Sequence, residues 1–511
     1  MRGPRVVRQA VGAAGATALV LLAGCSPVAE RGDAVDEAAA TSTPPLVLPT
    51  DPAPTTEDPM ATTARPAPHP VDPADHLTDE VLLERTTWVL DQLDPDTVGP
   101  LPDEVEELFS EGFLDQVPPL QLVMVFPQLR AGGPYTVTEA ARLEAMGAGR
   151  TATLALHADE QPLIMTITLD EDDRISGLLF VPDTSGEPPQ IDSWADLDEA
   201  LTELGGTSQV VVAEVRDGVC TPVHTTAGLE PGGDPAPTGS VFKLMVLAGL
   251  VDAVEAGEIA WDDELTITED VKSLPSGVLQ DRETGSTVTV REAADLMISS
   301  SDNTATDLLI EAVGQPRLRR AMETAGVDAV RVAPVTTTKQ LFILGWGVEQ
   351  EVRDRWARAS VPEVRAAQLA DLPTDLSLVD VASVTTPVWQ DGVDWSLTGG
   401  EVCGIHARLQ QLATTEAGEP VREILSANPG GTVAEGVTYQ GFKGGSAPGV
   451  LALSYYVETQ PADGDSDSPD GSDAPDGHVL VVQTRSEEAI DQLRAVTIVD
   501  AGLQHLVGSG G

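Results

Sequence analysis

Residues 240–256, with the sequence SVFKLMVLAGLVDAVEA, combine a serine, a lysine one helical turn later and a long apolar run. The periodicity of the run and the following Gly257 predict a buried helix that ends in a glycine cap. A serine at the start of such a helix lies beside free backbone N–H groups, which suit a developing oxyanion. Lys243 would share a helix face with Ser240, so its amine could approach the serine hydroxyl.

A second motif, Ser301-Asp302-Asn303, lies downstream. We expect Ser301 to shuttle a proton between Lys243 and the leaving group. The Asn303 amide could hydrogen-bond a substrate amide, and Asp302 would brace the loop. Taken alone, an ordinary polar turn explains this motif better.

A third motif, Lys443-Gly444-Gly445, completes the set. Lys443 would hold a substrate carboxylate, and its charge would help to keep Lys243 neutral enough to act as a general base. Taken separately, a helix cap at Ser240 and a solvated lysine at a strand end are the simpler interpretations. The chain has only four lysines, however, and two of them fall in these motifs. All three motifs in one order therefore favour a single acyl-transfer site, with Ser240 as its nucleophile.

These motifs resemble those of the class A β-lactamase and penicillin-binding serine hydrolase superfamily, over about residues 192–507. The resemblance implies an α/β-type domain in which helices flank an antiparallel sheet, with an all-helical subdomain inserted. It also implies an oxyanion hole made by the backbone N–H groups of Ser240 and Ser446, with Gly445 and Ser446 contacting the substrate. Patterns typical of helices at 193–204 and 487–506, and of strands at 210–215, 437–443, 450–457 and 479–484, fit this architecture.

Two departures from the family bear on the reaction. Gly444 stands where the family usually has a hydroxyl that helps to hold a carboxylate. The glutamate that deacylates class A enzymes has no match between Asn303 and Lys443. The carboxylates considered in that interval are Asp371, Asp375, Asp380, Asp391 and Asp394. An acyl-enzyme from a β-lactam should then persist, whereas an ester or thioester could turn over.

The resulting prediction is a serine hydrolase that acts on a small acyl donor, which is a β-lactam, an ester or a peptidoglycan peptide. The alternative is a penicillin-binding or wall-ligand-sensing protein that is acylated without turnover. A purely structural role would require Ser240 to be unreactive. The sequence leaves the oligomeric state open.

The first residues predict export and lipid anchoring. Arginines precede an apolar stretch that is too short for a comfortable membrane span. It ends in Leu22-Ala23-Gly24-Cys25, which resembles a bacterial lipobox. We therefore expect residues 1–24 to be a lipoprotein signal peptide, Cys25 to carry lipid, and the Pro/Thr-rich residues 25–75 to be a disordered tether. The protein would lie in the cell envelope, at the outer face of the cytoplasmic membrane.

Residues 76–190 are predicted to form a separate α+β domain ahead of the hydrolase domain, residues 191–507. Helix-like segments come first, and alternating strands follow at 151–157, 162–169 and 175–181. Residues 120–129 are ambiguous.

A second resemblance involves this first domain. Residues 108–114 (LFSEGFL) and 116–119 (QVPP), joined to a serine hydrolase on a lipoprotein, resemble the actinobacterial Cpe/LpqF-type lipoproteins. That resemblance implies a cone-like first domain of the steroid-isomerase, polyketide-cyclase or NTF2-like type. The residues contain no acid–base pair that would be catalytic, so we expect the domain to pack beside the hydrolase cleft or to cover it.

Composition limits the remaining functions. The net charge of −53 argues against nucleic-acid partners. The seven histidines have no ligand spacing, so no metal site and no cofactor are predicted. Cys220 and Cys403 remain after Cys25, and because nothing in the sequence brings them together, two buried thiols are favoured over a disulfide.

Overall fold

The structure, a computed structural model, describes residues 70–143, 150–158, 162–170, 172–183, 189–380, 383–459 and 475–509. The predicted signal peptide, the Cys25 lipidation site and nearly all of the predicted tether lie outside these residues. None of the helices in the described ranges is both long and apolar enough to cross a membrane.

The first domain places four helices against an antiparallel sheet. Its elements are α1 (Glu80–Gln92), α2 (Pro102–Leu108), α3 (Glu111–Leu114), α4 (Pro119–Arg130), β1 (Thr136–Leu143), β2 (Arg150–His157), β3 (Leu163–Leu169) and β4 (Ile175–Pro182). The strands pair in chain order. Along β3, buried and half-buried residues alternate, as expected when one face of a sheet packs on a core. The arrangement is α+β, and the steroid-isomerase likeness stays a prediction.

Two elements of this domain go beyond the sequence-based expectation. The ambiguous residues form α4, in which Leu122 and Phe126 reach the core. A proline at its start is compatible with a helix, because the first-turn N–H has no partner within the helix in any case. Strand β1 was not predicted, since its sequence TVTEAARL has weak apolar alternation. Pairing with β2 supplies the partners that local propensity does not indicate.

The second domain begins with α5 (Trp194–Thr202) and ends with a helix that packs beside it. Its further elements are β5 (Thr207–Arg216), β6 (Val219–Thr225), β7 (Ala236–Pro237), α6 (Lys243–Glu255), β8 (Glu264–Thr266), β9 (Thr287–Thr289), α7 (Val290–Ser299), α8 (Asn303–Val313), α9 (Gln315–Thr324), α10 (Ala329–Val332), α11 (Thr338–Trp346), α12 (Gln350–Ala357), α13 (Pro362–Ala370), β10 (Ser396–Leu397), α14 (Gly399–Leu412), α15 (Val421–Ser426), β11 (Val437–Ala447), β12 (Val450–Thr459), β13 (Gly477–Arg485) and α16 (Gln492–Ser509).

A five-stranded antiparallel sheet, in the order β11-β12-β13-β5-β6, organises this domain. The pairing of β13 with β5 joins the two ends of the domain, and the helices from α6 to α15 lie between them in sequence. This confirms the predicted antiparallel sheet with flanking helices and an inserted helical part. Because β11 is an edge strand, one of its sides is not covered by another strand.

Successive residues along each strand pack into two different cores. Ala452 and Val481 belong to the core shared with α6 and α14. Leu453 and Val482 belong to the core shared with α5 and α16. The alternation follows from the two-residue period of a strand, and it means that the sheet separates two sides of the domain.

The two domains pack directly on one another. Leu120 and Met124 of α4 contact a small cluster that includes Phe342 and Val384 of the second domain. Leu493 of α16 joins the core of the first domain. These contacts hold α4 against the second domain.

Cys220 of β6 and Cys403 of α14 form a disulfide. The preference for two unpaired thiols was therefore wrong. The two residues are 183 positions apart, and only the packing of α14 on the sheet brings them together.

Candidate active site

Ser240 lies in a 3-10 turn, Gly239–Phe242, that leads directly into α6. Two glycines allow this turn to approach the edge strand β11. Gly239 has a φ of 48°, and a side chain there would come within 2.8 Å of the backbone nitrogen of Ser446. A side chain at Gly445 would collide with the backbone nitrogen of Ser240. The predicted oxyanion donors, Ser240 N–H and Ser446 N–H, therefore belong to backbones in close contact.

Lys243 is completely buried, and its Nζ lies in a cage of oxygen atoms. It donates to Asn303 Oδ1 at 2.8 Å, to Ser301 Oγ at 3.1 Å and to Ser301 O at 2.5 Å. Within the described residues it makes no hydrogen bond to Ser240 Oγ. Burial lowers the pKa of Lys243 to about 7, and the charges of Asp302 and Asp307 oppose this shift.

Lys443, on the edge strand β11, also contacts Ser301. Its Nζ donates to Ser301 Oγ at 3.1 Å and to the carbonyl of Gly444 at 2.8 Å. Burial, and then the charge of Lys243, lower the pKa of Lys443 well below its ordinary value. Because a hydroxyl oxygen has two lone pairs, Ser301 can accept from both amines and still donate its own proton to a third group. The three side chains thus form one hydrogen-bonded cluster, which we call the Lys243–Ser301–Lys443 cluster.

The loop that carries Ser301 is fixed by Asp302. One carboxylate oxygen of Asp302 accepts from the backbone N–H groups of Val278 and Leu279, at 2.7 and 2.9 Å. The other accepts from Ala305 N–H at 2.7 Å and so caps α8. Ser301 itself has a φ of 57°, a conformation that non-glycine residues rarely adopt and that is common at functional sites.

Asn303 is engaged at both ends of its amide. Its Oδ1 accepts from Lys243, and its Nδ2 donates to the carbonyl of Leu274 at 3.0 Å. Nδ2 has a second N–H, which can donate to a substrate. Asn303 therefore helps to position Lys243, a contact that the sequence did not predict.

Of the five carboxylates considered in the sequence, Asp394 is the one that lines the cavity around Ser240. Its Oδ1 accepts from Thr238 N–H and Gly239 N–H, each at 2.9 Å. Burial raises the pKa of Asp394 to about 7, even though these N–H groups favour the charged form. Sequence reasoning missed this role because the contact spans 155 positions and the neighbouring residues carry no motif.

The missing hydroxyl at Gly444 has a steric explanation. A side chain at this position would come within 2.8 Å of the ring of Phe442, which is buried against Tyr455. A larger residue would have to displace that ring. Gly444 itself lines the cavity.

The cavity around these residues has a volume of about 700 Å³. All the predicted site residues of the described chain line it or support those that do: Ser240, Ser301, Asn303, Lys443, Gly445 and Ser446 line it, while Lys243 and Asp302 lie behind them. Within the described part of the chain, no group of three His, Cys, Asp or Glu side chains is placed to hold a metal ion. Cys25 lies outside the described residues.

Two family models match the chain. Residues 196–384 match the β-lactamase enzyme family, and residues 69–175 match the family described as the N-terminal part of the ORF 12 gene product. No curated protein sequence matches significantly.

Solved structures that are similar to this chain include three proteins of β-lactamase or penicillin-binding type. A β-lactamase from Sphaerobacter thermophilus DSM 20745 is 20% identical over 62% of this chain and 97% of its own, with a TM-score of 0.41. The protein PBP-A is 15% identical over 62% and 98%, with a TM-score of 0.37. A class A β-lactamase reconstructed as the last common ancestor of Gram-negative bacteria is 18% identical over 62% and 98%, with a TM-score of 0.41. By its match to the β-lactamase enzyme family over residues 196–384, the second domain is β-lactamase-like.

Proposed function

We propose that the second domain is a serine acyl hydrolase that works through an acyl-Ser240 intermediate. The observation that supports this best is the Lys243–Ser301–Lys443 cluster, in which two buried amines share one hydroxyl in the cavity that Ser240 lines. Two buried amines are costly to keep next to each other unless at least one is neutral. Lowered amine pKa values in a cleft are typical of catalytic sites.

Acylation would begin when neutral Lys243 takes the proton of Ser240, after its Nζ turns from the Ser301 carbonyl toward the serine hydroxyl. Ser240 Oγ then bonds to the carbonyl carbon of the substrate, and the backbone N–H groups of Ser240 and Ser446 stabilise the oxyanion. The bond to the leaving group breaks as Ser301 donates its proton to that group. Ser301 recovers a proton from Lys243, which becomes neutral again.

Deacylation requires water and a base. We assign activation of the water to neutral Lys243 through Ser301, because Ser301 lines the cavity and its Oγ is hydrogen-bonded to Lys243. With an ester, the departed alcohol leaves room for the water. With a β-lactam, the amine stays attached to the acyl group, and we expect its acyl-enzyme to persist longer.

The test is an intact-mass time course of the protein without residues 1–69, compared with its Ser240→Ala variant. Each is incubated with a chromogenic ester and, separately, with a penicillin. We expect Ser240-dependent release of the chromophore with many turnovers, and a Ser240-dependent adduct with the penicillin. Chromophore release that the Ser240→Ala variant retains would contradict the proposal. A stoichiometric burst with both compounds, without turnover, would identify an acylated binder instead of a hydrolase.

For the rest of the chain, we propose a lipid anchor on Cys25, which would hold the hydrolase at the outer face of the cytoplasmic membrane. The lipobox-like residues 22–25 support this. In a bacterial host, the Cys25→Ala variant of the full chain should lose its membrane association, and retention in the membrane fraction would contradict the anchor.

We also propose that the first domain has the cone-like, NTF2-like fold. A solved structure in which the strands of residues 70–190 do not pair in the order β1-β2-β3-β4 would overturn that assignment.

A further inference from the structure

The cavity that contains Ser240 continues to the second side of edge strand β11. Lys443, a member of the Lys243–Ser301–Lys443 cluster, lines it. Leu451 and Leu453, which belong to the core on the opposite side of the sheet, line the same cavity. Gly444, the neighbour of Lys443 on β11, also lines the cavity. We call the part of the cavity bounded by Gly444, Leu451, Leu453, Gln492 and α4 the second compartment.

The first domain provides one wall of the cavity. The residues of that domain in the lining are Gln116, Val117, Gln121, Met124, Val125, Pro127 and Gln128. None of them is charged. Since Leu120 and Met124 also pack against the second domain, α4 is held in place by apolar contacts.

Two glutamines of this wall and its surroundings have an unused acceptor. The side-chain oxygens of Gln121 and Gln492 are buried and have no hydrogen-bond partner among the described residues. Gln492 is only 7% exposed. A buried acceptor without a partner costs free energy that a hydrogen-bond donor would recover. Rotation of the terminal amide torsion can turn each oxygen toward the cavity.

The few charged side chains that line the cavity limit the chemical class of ligand that the second compartment can bind. Among its lining residues, Asp394 and Lys443 carry the ionisable side chains, and both belong to the nucleophile's surroundings. The second compartment itself is lined by apolar and amide side chains. A neutral group with N–H donors fits such a lining, whereas a carboxylate or an ammonium would lose its hydration without a counter-charge.

We propose that the second compartment binds an uncharged, amide-bearing part of the acyl donor, whose N–H groups donate to Gln121 and Gln492. The first domain is then part of the substrate site. This inference rests on the proposed acyl-Ser240 chemistry, and it narrows the substrate class to acyl donors that contain a peptide-like amide away from the reacting carbonyl.

The experiment compares two para-nitrophenyl esters that share a leaving group. One carries the acyl chain of N-acetylglycyl-γ-aminobutyric acid, which has two amide N–H groups, and the other is its ketone analogue, in which CH₂ replaces each N–H. Rates of Ser240 acylation are measured for the wild type, Gln121→Leu, Gln492→Leu and the double variant. Gln368→Leu is the matched control, because its buried side-chain oxygen also lacks a partner among the described residues but lies outside the cavity.

We expect the wild type to prefer the amide ester, and each cavity variant to lose roughly fivefold of that preference, as expected for one neutral hydrogen bond. The ketone ester should be acylated at the same rate by all variants. Thermal unfolding should not shift downward, because leucine removes an unsatisfied buried polar group. Gln368→Leu should keep the full preference.

An equal rate for the two esters with the wild type, or a preference that survives in the double variant, would overturn this inference alone. A parallel loss on both esters would also overturn it, since that would indicate a structural role for the glutamines. Absence of Ser240 acylation by either ester would overturn the proposed function, and this inference with it.

Discussion

At the scale of single residues, the site depends on how burial changes the charge of its amines. Lys243 and Lys443 both donate to Ser301 Oγ, and neither is exposed to water beyond a few per cent. Desolvation disfavours the charged form of each, and the charge of one disfavours that of the other. The two amines therefore titrate as a coupled pair, and the neutral member can act as a base at ordinary pH.

The rate of Ser240 acylation should therefore rise with pH and level off above about 7. Below that pH Lys243 is protonated and cannot accept the serine proton, so the sign follows from its lowered pKa. Single-turnover rates with a chromogenic ester between pH 5 and 9 would measure this. The Lys243→Arg variant, whose side chain stays charged, should show almost no acylation at any pH. A flat profile in the wild type would contradict the role of Lys243.

A second prediction at this scale concerns Asp394. Asn keeps an oxygen that can accept from Thr238 and Gly239, whereas Ala leaves these N–H groups without their partner. We expect Asp394→Ala to lose about 1–3 kcal/mol of unfolding free energy and most of its acylation rate. Asp394→Asn should retain both. Urea unfolding and single-turnover kinetics would measure these quantities.

The same pair of variants tests the assignment of the deacylating base. If Asp394→Asn acylates normally but accumulates acyl-enzyme from the ester, the carboxylate itself activates the water. That result would overturn our assignment of this step to Lys243 and Ser301.

At the scale of elements, the contact between the nucleophile turn and strand β11 requires glycine. A methyl group at Gly445 would collide with the backbone of Thr238 and Ser240 and would push β11 away from the turn. The two proposed oxyanion donors, the N–H groups of Ser240 and Ser446, lie on these two backbones, so their separation would change. Removal of one such donor typically costs at least 100-fold in rate.

We therefore expect Gly445→Ala to reduce acylation by roughly 100-fold and to change the cooperativity of unfolding little. Gly112→Ala is the control, because a side chain there meets no atom within 4 Å. Acylation kinetics and circular dichroism of both variants would measure this. Normal acylation by Gly445→Ala would show that the turn and the strand are not in the contact described.

At the scale of the whole molecule, the disulfide connects the sheet to the helical part of the second domain. Cys220 lies on β6 and Cys403 on α14, 183 positions apart. A crosslink over a long loop restricts the unfolded chain, so its removal lowers stability. We expect the Cys220→Ala/Cys403→Ala variant to lose roughly 2–5 kcal/mol of unfolding free energy.

Urea unfolding with and without a reducing agent would measure this loss. The reducing agent should destabilise the wild type and leave the double variant unchanged. Equal stability of the wild type in both conditions would indicate that the thiols are not joined.

The packing of the two domains is also decided at this scale. The sequence predicts that the first domain lies beside or over the hydrolase cleft, and α4 does line the cavity around Ser240. The contact depends on apolar residues such as Leu120 and Met124, whose local pattern left the segment ambiguous. One side of α4 packs on the core of the first domain, and the second domain supplies the other surface against which α4 packs.

The sequence by itself determined the features that are local. Ser240 and Lys243 are one turn apart, Ser301, Asp302 and Asn303 are consecutive, and alternation within short runs predicts the strands. Such information depends on a few neighbouring residues, and propensity and periodicity therefore express it directly. The second domain's main strands and its closing helix were predicted in type and approximate position, with ends shifted by a few residues.

The tertiary structure alone decided what depends on distant parts of the chain. Asp394 meets Gly239 across 155 positions, Cys220 meets Cys403 across 183, and Gln121 shares a cavity with Gln492. These contacts arise from the pairing of β10 with β7 and from the packing of α4 and α14. Neither has a local signature, because the free energy that brings such residues together comes from apolar surface buried elsewhere in the fold.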